Sequence, residues 1–194
     1  MTIKKRPTVF IDRDGTINKD AGYINSLKNF EMYPFAPQAI KLLKDNGYLV
    51  VIITNQAGIG RGIFTEDFLS QVHNKMRVIL QKNGTDIDGI FYCPHYKGSK
   101  IPAYNIDCDC RKPKTKMIDD AIKLLSVDTS NMFMIGDKHT DIQMGINAKC
   151  KTIMVKTGYG EGEIANDYSK WKLKPGLITD NLLTAVLSIL SGKI

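Results

Sequence analysis

No apolar run in this sequence of 194 residues approaches the roughly 20 residues needed to cross a bilayer. No stretch is rich enough in Pro, Gly or Ser to read as a linker, and no segment repeats. No long Lys/Arg block is present to mark a polynucleotide-binding tail. The basic opening, Met1-Thr2-Ile3-Lys4-Lys5-Arg6-Pro7, is not followed by the apolar stretch of a signal peptide. Cysteine is scarce, at four residues. A disulfide framework is not expected in a chain of this size without an export signal. These absences argue against a transmembrane, fibrous or disulfide-stapled protein, and we expect a cytoplasmic one.

What remains is ordinary globular composition: 43% hydrophobic and 24% charged residues. The length suits one domain, residues 1–194, with a loop at 93–112 inserted in it. The formal net charge of +7 favours anionic partners. Charge alone does not separate nucleic acid, membrane and phosphorylated metabolite.

Short apolar runs alternate with amphipathic stretches. Residues 8–11, 49–53, 89–92, 131–135, 152–155 and 176–179 read as strands buried on both faces, which means a parallel sheet. Ile40 and Leu43 mark one helix; Phe68, Val72, Met76, Ile79 and Leu80 mark the next, opened by Thr65, Glu66 and Asp67. Ile118, Ala121, Ile122 and Leu125 mark a third, residues 139–148 a fourth, and Leu182, Val186, Ile189 and Leu190 the last. The alternation predicts a three-layer, Rossmann-like α/β fold with a mostly parallel sheet. Ligands in such sheets sit at the carboxyl ends of the strands. Residues 93–112 and 156–176 read as long loops. Cys150 reads as core, His73 lies inside a helix pattern, and neither His73 nor His139 carries a ligand signal.

Four polar clusters follow strand runs. In Asp12-Arg13-Asp14-Gly15-Thr16, two carboxylates at i and i+2 can point to one side, repel each other and attract a hard cation such as Mg²⁺. One of them can then attack phosphorus while the other moves a proton. In Thr54-Asn55-Gln56, a hydroxyl and amides can donate to phosphate oxygens. Lys112 supplies a compact cation for a phosphoryl group, and Arg111 can fork around a second phosphate or a hydroxyl. Asp137, after Gly136 and before Lys138, is a third magnesium ligand by position; Asp141 is either a helper behind the ligands or a helix cap.

Cys93, His95, Cys108 and Cys110 form a Cys₃His set within 18 residues, of the kind zinc takes in tetrahedral structural sites. The loop between them has few apolar anchors, so a metal would supply the order that packing does not. With four ligands no position stays open, so the zinc is structural. It would place Arg111-Lys112, which follow Cys110 directly, over the phosphate pocket.

Asp-x-Asp-Gly-Thr, Thr-Asn, Lys and Gly-Asp-x-x-x-Asp in this order resemble the haloacid dehalogenase-like phosphatases. With the zinc loop, the chain is similar to their bacterial heptose bisphosphate phosphatases over about the first 160 residues. The resemblance implies an aspartyl-phosphate mechanism, with Asp12 as nucleophile and Asp14 as general acid/base. It implies magnesium held by the Asp12 carboxylate, the Asp14 backbone carbonyl and Asp137, and a phosphoryl group held by Thr54 and Lys112. Arg111 matches a substrate-recognising arginine, Lys138 a lysine near the phosphate, and Asp20-Ala21-Gly22-Tyr23 a substrate-contacting stretch. No large cap domain is implied. The expected substrate is a phosphorylated sugar, D-glycero-D-manno-heptose 1,7-bisphosphate, handled by a monomer without nucleic-acid or membrane partners. A histidinol phosphate phosphatase, a polynucleotide 3′-phosphatase and a zinc-stabilised binding module with idle catalytic residues are the competing expectations. The last 35 residues carry no recognisable motif.

Overall fold

The computed structural model describes residues 4–194; the first three residues of the basic opening segment lie outside the described residues. Among the described residues six strands form one sheet: β1 (Arg6–Ile11), β2 (Leu49–Asn55), β3 (Gly89–Cys93), β4 (Val127–Gly136), β5 (Lys151–Val155) and β6 (Leu177–Thr179). Every pairing is parallel, and the strand order is β3-β2-β1-β4-β5-β6. Successive strands add outward on one side of β1 as far as β3. The chain then returns to lay β4 on the other side of β1. That reversal opens a crevice at the carboxyl ends of β1 and β4, where open α/β sheets bind ligands. Ile11 stands level with both Ile52 and Ile135, so the residues just after β1, β2 and β4 converge. The strand expected at 131–135 begins earlier, because Arg6 of β1 already pairs with Val127.

The helices are α1 (Ala36–Asp45), α2 (Ala57–Gly60), α3 (Glu66–Lys82), α4 (Lys116–Leu124), α5 (His139–Asn147), α6 (Gly160–Asp167) and α7 (Leu182–Leu190). Strand alternation sends Val9, Ile11, Val50, Ile52 and Ile135 to one face, against α1, α3 and α7. Phe10, Val51, Ile53, Met132 and Met134 go to the other, against α4 and Met144 of α5. Each fully buried side chain of this size contributes about 1.5–3 kcal/mol. Cys150 lies in the second core, as expected. Thr65 caps α3, its Oγ1 accepting from the Phe68 amide at 3.1 Å, with Glu66 and Asp67 in the first turn. Between β1 and β2 the chain forms only a 3₁₀ turn at Leu27–Asn29 and α1, with no folded cap. Among the described residues no helix is long and apolar enough to cross a membrane.

The segment 156–176 is not the long loop its glycines suggested. It contains α6 and a further 3₁₀ turn at Tyr168–Lys170. Gly160 opens α6 at a point where a Cβ would collide with the Val155 carbonyl, so this glycine permits close packing instead of breaking a helix. Ile164, Tyr168 and Trp171 then close over Ile142 and Met154.

Candidate active site

Asp12 leaves β1 into the crevice and is 4% exposed. Its Oδ1 accepts from the Arg13 amide at 2.7 Å and lies 2.8 Å from Lys112 Nζ. Lys112 is itself buried; its Nζ also donates to the Ile53 carbonyl at 3.1 Å and lies 2.6 Å from Asp141 Oδ1. Burial pushes the Asp12 carboxyl up to about 6, against the pull of Lys112. Burial would lower Lys112, but Asp12 and Asp141 overcome it and hold the ammonium above its usual range.

Asp137 follows β4 and has no exposure. Its Oδ2 accepts from the Tyr159 amide at 2.8 Å, while its Oδ1 is buried without a partner. Burial first, then Asp12 and Asp141, push its carboxyl well above the usual range. Gly15 and Gly158, both in the left-handed region, let two turns close against Asp137, where any Cβ would strike its carboxylate. Asp141 combines two expected roles. Its Oδ2 caps α5 by accepting from the Lys138 amide at 3.0 Å, and its Oδ1 meets Lys112.

Asp14 sits beside this cluster in a shell of donors. Its oxygens accept from Arg13 Nε and NH2 at 2.7–3.2 Å, from Asn18 Nδ2 at 3.0 Å and from Gln56 Nε2 at 2.8 Å. Burial would raise its pKa, but the Arg13 guanidinium and then the other donors win and hold it below the usual range. Gln56 also donates to Thr54 Oγ1 at 2.8 Å. Asn55 accepts the Lys112 amide at 3.1 Å, so it fixes the main chain that carries the lysine.

The cavity, about 500 Å³, is lined by Asp12, Asp14, Thr54, Arg111 and Lys112 together with Asp20, Gly22, Tyr23 and Lys138. Lys138 Nζ reaches Asp20 Oδ2 at 3.1 Å and lies 4.3 Å from the centre of the Tyr159 ring. Asp20 Oδ1 accepts from the Gly22 amide at 2.7 Å, shaping the turn that presents Tyr23. Sequence reading missed Arg13, His73 and Tyr159. Arg13 stands between the two acids of the first cluster with no signal of its own, and Tyr159 falls in the segment 156–176 that reads as a loop.

The family model "HAD-hyrolase-like" matches residues 109–185. A Haemophilus influenzae protein named D-glycero-beta-D-manno-heptose-1,7-bisphosphate 7-phosphatase is 45% identical over 164 residues, 82% of this chain and 89% of the relative. The Escherichia coli K12 protein of the same name is 38% identical over 171 residues, 88% of this chain and 90% of its own. The chain belongs to the heptose bisphosphate phosphatases of the haloacid dehalogenase-like hydrolases. A crystal structure of the D,D-heptose 1,7-bisphosphate phosphatase from B. bronchiseptica, complexed with magnesium and phosphate, superimposes with a TM-score of 0.84. It is 31% identical and covers 96% of this chain and 99% of its own.

Among the described residues of this phosphatase, two sets fit a metal. Carboxylate oxygens of Asp12, Asp137 and Asp141 lie within 4.8 Å of one another, all buried. Both oxygens of Asp141 are engaged, by Lys112 and by the α5 cap, whereas Asp12 meets its partners through Oδ1 alone and Asp137 Oδ1 has none, so these two carboxylates keep an oxygen for a cation. The second set is Cys93, His95, Cys108 and Cys110. Its Sγ–Sγ separation is 3.5 Å between Cys93 and Cys108, and His95 Nδ1 lies 3.8 Å and 3.2 Å from Cys93 and Cys110. A tetrahedral centre with bonds of about 2.3 Å to sulfur and about 2.0 Å to nitrogen has edges of about 3.5–3.8 Å. The loop is tied to the pocket: the Gln56 amide donates to the Cys93 carbonyl at 2.8 Å, and the Gly60 amide to the Pro94 carbonyl at 3.0 Å.

Proposed function

We propose that this phosphatase removes the C7 phosphate of D-glycero-β-D-manno-heptose 1,7-bisphosphate through a covalent phosphate on Asp12. The observation that carries the reading is the buried Asp12–Lys112–Asp141 chain, facing Asp137 across the switch point of the sheet. The names of the relatives support the sugar and its β anomer.

An oxygen of Asp12 forms a bond to phosphorus as the bond from phosphorus to the C7 oxygen breaks. The negative charge of the bound phosphate favours a proton on Asp14 against the pull of Arg13; Asp14 gives that oxygen its proton, and the alcohol leaves. Asp14 then takes a proton from water, whose oxygen bonds to phosphorus. The bond to Asp12 breaks, releasing phosphate and the Asp12 carboxylate. Lys112 and Thr54 hold the phosphoryl oxygens, with Gln56 orienting the Thr54 hydroxyl. Asn55 acts by holding the Lys112 main chain. Asp12, Asp137 and the Asp14 carbonyl would hold Mg²⁺, which when bound neutralises charge on the phosphoryl group. Arg111, Lys138, Asp20, Gly22 and Tyr23 would hold the sugar and its second phosphate.

The Cys₃His set would hold a structural zinc that fixes the 93–112 loop beside the pocket. A reduced thiol set of this kind suits the cytoplasm. We read the working unit as a monomer, serving the making of nucleotide-activated heptose for surface glycans.

The test is phosphate release with Mg²⁺ from the β-heptose bisphosphate, its α anomer, histidinol phosphate and a 3′-phosphorylated oligonucleotide. The β-heptose compound is expected to give the highest kcat/KM, with Asp12→Asn inactive yet folded. A faster rate on either of the last two would replace the substrate, and an active Asp12→Asn would remove the nucleophile.

A further inference from the structure

We propose that His73 is a positioning residue for Asp14, acting through Arg13. Arg13 is unusual in that its side chain is only 2% exposed. Its Nε and NH2 fork onto Asp14, and its NH1 faces His73 Nε2 at 3.2 Å. A guanidinium only donates and stays charged. Nε2 of His73 must therefore carry the lone pair, and the ring proton sits on Nδ1. Burial and then the Arg13 charge hold this imidazole neutral, pushing it down to about 3.

The geometry gives that contact a purpose. Arg13 and Asp14 are neighbours in the chain, so their fork alone would let them turn together. The His73 contact comes from α3, a 17-residue helix anchored by Leu69, Val72, Met76 and Leu80. It fixes the guanidinium plane from outside the turn. Asn18 and Gln56 hold Asp14 from its other sides. A proton donor works only when held within reach of the leaving oxygen, so the orientation of Asp14 affects the step in which the alcohol departs.

The inference rests on Asp14 being the proton donor, and its test separates the two. An alkyl phosphate needs a proton on its leaving oxygen; 4-nitrophenyl phosphate does not, because nitrophenolate leaves readily. The alkyl ester used is whichever one the wild type turns over, so the identity of the sugar does not enter. His73→Asn keeps a polar side chain but ends short of the Nε2 position, whereas His73→Gln places its amide oxygen near it. His73→Asn is expected to lower kcat/KM roughly tenfold or more on the alkyl ester and no more than about threefold on 4-nitrophenyl phosphate. His73→Gln should keep the wild-type ratio between the two esters.

Asp14→Asn serves as the control and should show the same selective loss. Equal losses on both esters in Asp14→Asn would remove Asp14 as the donor. A selective Asp14→Asn beside an unselective His73→Asn would overturn the role of His73. Should His73→Asn fail to fold, ¹⁵N imidazole shifts of the wild type decide the matter: an unprotonated Nε2 is required, and a protonated one excludes the contact.

Discussion

The ammonium of Lys112 lies 2.6 Å from Oδ1 of Asp141, a carboxylate with no solvent exposure. The same ammonium holds Asp12 at 2.8 Å. Two buried anions, one just after β1 and one in the first turn of α5, thus share one cation, which comes from the end of the cysteine loop.

Removing that cation strands two buried carboxylates. Lys112→Met is therefore expected to cost about 3–5 kcal/mol, the usual penalty for an uncompensated buried charge. It should also abolish turnover. Urea unfolding measures the first effect and phosphate release the second. An unchanged unfolding midpoint would mean that water already screens the pair.

The cysteine loop reaches the pocket through main-chain hydrogen bonds to Gln56 and Gly60. Loosening it should shift Gln56 and, with it, Asp14 and Thr54. Cys108→Ser is expected to lower zinc content, measured by elemental analysis, and to lower kcat between about 10- and 100-fold. Retained zinc together with retained activity would rule out this coupling.

Tyr159 is half-exposed and lies over Lys138 at the rim of the cavity. Tyr159→Ala removes a cation–π contact of about 0.5–1 kcal/mol. We expect KM for the bisphosphate to rise about 2- to 5-fold, with kcat nearly unchanged. A fall in kcat alone would place Tyr159 with the reacting groups, through a shift of the main-chain amide that donates to Asp137.

His73 also makes a pH prediction. Burial, Arg13 and Arg77 disfavour its charged form, while Asp14 favours it, and Tyr92 packs beside the ring. Its folded pKa of about 3 lies below the ordinary value of 6.5, so protons bind the unfolded chain first. The stability it supplies is full above pH 6.5 and is lost as pH falls from there towards about 3. The melting temperature of the wild type should accordingly fall more steeply than that of His73→Gln across this window. Parallel curves would show that His73 titrates normally.

The strand runs, most of the helices and the strand-end clusters were legible because burial on both faces of a parallel sheet leaves continuous apolar segments. Alternation of strand and helix then places the polar residues that follow them at one edge. Residues 156–176 misled because a glycine needed for close packing, Gly160, has the same letter as a glycine that frees a turn. Arg13 was overlooked because a charged residue inside a motif gives no sign of whether it is buried. Its guanidinium meets His73, 60 residues away.

The sequence by itself determined the chemistry on offer: paired acids, a lysine, a further aspartate after another strand, and a close set of soft ligands. It also determined that these residues follow buried strands, since local periodicity is written along the chain. Tertiary structure decided which groups neutralise each other. Lys112 meets Asp12 and Asp141, Arg13 meets Asp14 and His73, and Tyr159 meets Asp137 and Lys138. These pairings arise from strand order and register, which bring distant segments to one crevice, and no local pattern encodes them.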